Sequence, residues 1–162
     1  YVRSSNIEAI VDGNHRVNRA LKAGGDAVGA TCVINDLPGY LPMRNDARMN
    51  EMLRQNSNPL FGEENEFQGE HMTASTDMGD VSHLMPVIHP WVGCINGVLH
   101  SAEYEITVPE VAYIKTGQAL AMTIVDLLYD DAAGAKDVLD KFIPVLNKQS
   151  YIEFLDRIAK SE

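Results

Sequence analysis

The sequence predicts an α/β fold, and three observations carry that prediction. The first 34 residues read as strand, helix, strand. Two short apolar runs, Leu84–Ile88 and Trp91–Ile95, are broken by Pro86 and Pro90, and the second reaches the turn dipeptide Asn96-Gly97. A long helix then runs from Thr107 to about Asp130.

Taken in order, residues 1–5 form a short strand, and Asn6 caps a helix in which Ile7, Ile10, Val11, Val17 and Leu21 keep helical spacing. Gly24-Gly25 and Gly29 stop it, and the Val and Thr content of Ala30–Ile34 favours a strand. Leu37-Pro38-Gly39-Tyr40-Leu41-Pro42 interrupts both helix and sheet, because proline removes a backbone donor and glycine loosens the chain. A helix from about Asp46 to Gln55 follows, with Met49, Met52 and Leu53 on one face. Residues 56–74 read as a loop. Val98-Leu99-His100 leaves the Asn96-Gly97 turn, and Thr107 and Glu110 make a capping box for the long helix. Apolar residues on all its faces place that helix between layers. Two further helices span about Gly134–Val145 and Lys148–Lys160, with Phe142, Ile143, Tyr151, Phe154, Leu155 and Ile158 as packing residues.

A chain of 162 residues suits one domain. With 13 Lys and Arg against 23 Asp and Glu, its net charge of -10 repels phosphate backbones, which argues against nucleic acid as a partner. Cys32 and Cys94 both lie in apolar runs, which suits buried reduced thiols and hence a cytoplasmic protein. The sequence offers no apolar stretch of the ~18 residues needed to cross a bilayer, so no membrane partner is expected. The opening Tyr1-Val2-Arg3-Ser4 reads as the tail of a strand, as in a fragment.

Candidate chemistry gathers in residues 75–101, where His83, His89, His100, Asp77 and Asp80 fall close together. Asp77 and Asp80 flank Met78-Gly79, a spacing that lets two oxygen ligands converge or that simply makes a solvated loop. No HExxH or paired CxxC pattern fixes a metal site.

The runs Ser75-Thr76-Asp77-Met78-Gly79-Asp80-Val81-Ser82, Met85-Pro86-Val87-Ile88-His89-Pro90 and Leu99-His100-Ser101 resemble the C-terminal part of the zinc-dependent aminoacylase and amidohydrolase family, in its p-aminobenzoyl-glutamate hydrolase-like branch. The resemblance implies a partial α/β catalytic domain over residues 43–162, preceded at 1–36 by half of an α+β lid, with the hinge at 37–42. It implies cleavage of an amide bond in an N-acyl or aminobenzoyl amino acid or dipeptide at a two-zinc site, and a homodimer formed through the lid. His100 becomes a metal ligand. Asp77 and Asp80 either hold ligands and substrate by hydrogen bonds or fix their own loop. His89 faces the cleft or caps a surface turn, and Arg3 holds a substrate carboxylate or is solvated. His15, His71 and His83 are structural. Since the family's other ligands are not in this sequence, the isolated chain is expected to be inactive. A second reading is a non-catalytic truncated homologue that binds a ligand or dimerises.

Overall fold

The computed structural model describes residues 1–67, 69, 72 and 74–159. They are 57% helical and 3% strand. The chain divides into two compact units, one of Tyr1–Arg44 with the described parts of Glu70–Met85 and Ile143–Glu162, the other of Asn45–Gly69 and Pro86–Phe142. The expected 37–42 breaker falls inside the first.

In the first unit, α1 (Ile7–Ala27) begins where expected: Asn6 Oδ1 accepts from Ala9 N at 2.8 Å and satisfies a donor that the helix leaves bare. Asn14 and Asn18, one turn apart, both donate to Asp36 Oδ2, at 2.8 and 2.7 Å, and bind the segment after the helix to its side. The short α3 (Met78–Ser82) and α5 (Lys148–Ala159) complete this unit, whose most buried side chains are Leu41, Ser82, His83 and Phe154.

The second unit is built on two helices. Asp46 Oδ1 accepts from Arg48 N and Met49 N at 2.9 and 3.0 Å and starts α2 (Ala47–Phe61), which continues past the predicted end at Gln55 and through Pro59 in its last turn. A wide π-helical turn at Glu110–Lys115, across which Thr116 Oγ1 donates to Val111 O at 2.7 Å, leads into α4 (Thr116–Lys141). β1 (Ile95–Asn96) pairs antiparallel with β2 (Glu105–Ile106), Ile95 opposite Ile106. Gly97, at φ 85°, opens a loop to Glu105 instead of the two-residue turn expected, so the returning strand lies beyond Val98-Leu99-His100.

The α/β class is therefore corrected. The strands predicted at 1–5 and 30–34 have no ladder partner among the described residues, where the sole sheet is β1–β2. Valine and threonine favour strands only where a pleated neighbour exists to pack against. The capping box is corrected too: Thr107 N and Oγ1 both donate to Cys94 O, at 2.9 and 3.4 Å, so its hydroxyl is spent beside β1 and the helical turn begins at Pro109 without a side-chain cap.

The break predicted near residues 130–134 does occur. Inside α4, Tyr129 is extended and Asp130, Asp131 and Ala132 are all left-handed, at φ 51°, 55° and 58°, which separates the helical stretches on either side. Aspartate tolerates that region through local hydrogen bonding, whereas alanine has nothing to offset the clash of its Cβ. Ala132→Gly is expected to stabilise the fold by about 0.5–1 kcal/mol, read from the shift in urea midpoint at constant slope. A loss of stability on this change would show that residue 132 is not left-handed.

Candidate functional site

The 75–85 stretch is a clamp made largely of backbone contacts. Gly79 lies so close to the Leu41 carbonyl that a Cβ there would overlap it. Asp80 Oδ1 accepts from Leu41 N at 3.1 Å. Ser82 Oγ donates to Gly79 O at 2.5 Å and accepts from Arg44 N at 3.1 Å. His83, only 3% exposed, sets Nε2 2.9 Å from Pro42 O, while its own carbonyl accepts from Val145 N and Leu146 N at 3.1 Å. A carbonyl only accepts, so Nε2 carries the ring proton and Nδ1 is a bare acceptor. Nδ1 is buried and has no partner among the described residues.

Burial raises the Asp80 carboxyl above its ordinary value, opposed by the Leu41 N–H. Burial likewise lowers His83, against its bond to Pro42 and with Arg44 adding to the drop. Asp77, just ahead of α3, is exposed and accepts from Thr76 Oγ1 at 3.2 Å.

The other predicted residues do not join this cluster. His89 is half-buried in the second unit, held through its backbone N by Asn45 Oδ1 at 2.9 Å and edge-on to Trp91. His100 is exposed in a left-handed turn at φ 66°. Arg3 is exposed with its guanidinium 5.3 Å from the Tyr1 ring centroid. Exposed His15 rims a cleft of about 560 Å³ between α1 and α5, none of whose lining residues is buried. His71 lies outside the described residues. Among the described residues no three His, Cys, Asp or Glu side chains come together as a metal site.

The feature that sequence reasoning misplaced is α4. One side packs on α2, where Ala119 and Thr123 are buried, Thr123 Oγ1 donates to Ala119 O at 2.8 Å, and Asn56 Nδ2 donates to Asp126 Oδ2 at 2.6 Å and Thr123 Oγ1 at 3.3 Å. The side turned to solvent is apolar: Tyr113 is 64% exposed, Ile114 57%, Ile124 55%, Val125 60% and Leu128 63%, with Leu120 among them. The helix is not enclosed between layers. Its buried edge sets Thr123 beside Ala119. The signal was present as Thr123 and Asp126, one turn apart on a single face of an otherwise apolar helix.

The chain matches no protein-family model, no curated protein and no solved structure. With a helical fold, an open two-stranded sheet and no metal-ligand cluster among the described residues, the aminoacylase-family resemblance and the metal-dependent amidohydrolase or peptidase activity it implied are overturned. In the first of the runs that carried the resemblance, Gly79, Asp80 and Ser82 are accounted for by packing, the glycine by a backbone crossing and the aspartate and serine by the N–H groups of Leu41 and Arg44.

Gly79→Ala is expected to cost about 3 kcal/mol or more in chemical denaturation, because the obstacle is a backbone carbonyl that cannot rotate away. The lowered His83 value means that the unfolded chain takes up the proton first. Stability from this group is therefore complete above the ordinary value of 6.5 and is lost as pH falls through the folded value. Denaturation midpoints should drop between pH 7.5 and 5.5, and His83→Gln, which keeps a donor for Pro42 without a titrating ring, should flatten that slope. An equal slope in the variant would remove His83 as its source.

Proposed function

We propose that this chain is a helical protein-interaction module that docks a partner through the outward face of α4. The observation that carries the reading is the apolar outward face of that helix, opposite the side on which Thr123 and Asp126 bond to Asn56 of α2. Leaving six large apolar side chains in water forfeits roughly 1.5–3 kcal/mol for each one that a partner could fully bury. Contiguous exposed apolar surface of this kind marks interaction sites.

Glu110–Lys141 is long and apolar enough to cross a membrane by length and composition. A protein partner fits better. The non-helical backbone at Tyr129–Ala132 interrupts that stretch, and unpaired backbone groups are costly in lipid. The net charge of -10 also disfavours anionic lipid surfaces and nucleic acid. The free thiols of Cys32 and Cys94 support a reducing, cytoplasmic setting.

Val125→Glu tests the reading. The substituted chain should keep its unfolding free energy within about 0.5 kcal/mol, as surface changes do, and should lose most of its binding of an apolar fluorescent probe such as anilinonaphthalene sulfonate. Unfolding of the variant would instead assign Val125 to the interior and end the proposal.

A further inference from the structure

We infer that the partner is a second copy of this chain, paired through α4 in an antiparallel, twofold arrangement centred on Ala121; this rests on the interaction reading above. The seam residues are Ile114, in the π-helical turn that leads into α4, and Gly117, Ala121, Val125 and Leu128 of α4 itself. Their spacing of three, four, four and three residues is the same read from either end, so it superposes on itself when one helix is turned about Ala121. Sizes match under that operation. Ile114 meets Leu128, two large side chains at each end of the seam. Gly117 meets Val125, a vacancy opposite a branched side chain, and Ala121 meets Ala121 where the axes come closest. Such a palindrome is not needed to dock an unrelated surface.

Charge and area agree. Within the seam's span, residues 114–128, the charged residues are Lys115, half-buried and off the seam, and Asp126, which accepts from Asn56 on the α2 side, so two acidic molecules meet there without like charges in contact. Antiparallel helices also oppose their dipoles favourably. The exposed apolar side chains of this face amount to on the order of 700 Å², near the roughly 800 Å² that each partner gives to a standard interface. Each copy carries a net charge of -10, so the pair should tighten as salt screens their mutual repulsion.

The experiment is sedimentation velocity across a concentration series at low and high salt, on the parent chain, Val125→Glu and Gly117→Leu, with cysteine crosslinking alongside. A dimer is expected in the parent, stronger at high salt, and monomers in both variants, since leucine at 117 removes the vacancy that receives Val125. Ala121→Cys should form a disulfide-linked dimer above the background set by the native thiols. Ile114→Cys should not crosslink to itself but should crosslink when mixed with Leu128→Cys. Self-crosslinking at 114 would mean parallel helices and overturn the arrangement. A dimer that survives Val125→Glu places the contact elsewhere and overturns it also. A parent chain that stays monomeric while Val125→Glu still abolishes probe binding removes the second copy but leaves the docking face. Monomers whose probe binding ignores Val125→Glu would end both readings. Retention of a monomeric parent on phosphatidylglycerol vesicles, lost in Val125→Glu, would give the face to a membrane instead.

Discussion

The contact on which the second unit depends is polar: the Asn56 amide set against Thr123 and Asp126. An apolar helix has little reason to prefer one rotation about its axis, since most of its faces bury equally well. A buried amide has a strong preference, because leaving it unpaired costs about 1–3 kcal/mol. Asn56 is 8% exposed and Thr123 3%, so neither can turn to water for a partner. The pair therefore fixes which side of α4 faces α2. What is left over, Leu120, Ile124, Val125 and Leu128, goes outward as a consequence of where the hydrogen bonds are.

The first unit shows a similar economy of means with different groups. Residues 79, 80, 82 and 83 each serve the crossing segment at 41–44. Leu41 N, Arg44 N and Pro42 O each find a partner in Asp80, Ser82 and His83, and Gly79 leaves room for the chain to pass. Aspartate, serine and histidine close together are the residue types of catalytic sites. Here they satisfy backbone groups that would otherwise be buried bare.

Local structure was legible in the sequence to the extent that it depended on near neighbours. Asn6 as a cap, the start of α2 at Asp46, an interruption near residues 130–134 and the C-terminal helix all follow from residues a turn or two apart. What failed depended on distant partners. Ala30–Ile34 has strand composition without a neighbouring strand, and Thr107 has a helix-cap signature but is claimed by the Cys94 carbonyl 13 residues away. The candidate site failed for the same reason. Sequence reading grouped Asp80 with His100, whereas the histidine it interacts with is the buried His83, and whether that stretch faces a cleft or a backbone is decided by residues 41–44, which no local pattern names. The outward face of α4 was hidden because Thr123 and Asp126, which mark the side turned to α2, are outnumbered by apolar residues all round the helix.

The reversal at Tyr129–Ala132 has a consequence for how freely the chain can vary in length. It joins the helical stretches on either side with few residues, and of its three left-handed positions the one held by Ala132 disfavours that geometry. Lengthening a closed loop is thermodynamically mild, about 0.6 kcal/mol for each doubling. A longer, glycine-bearing connection would release the backbone strain while adding only that modest entropy. Residues 130–132 are thus a point of insertion tolerance, a place where a tag or a reporter peptide can enter the chain without being read by the packing on either side.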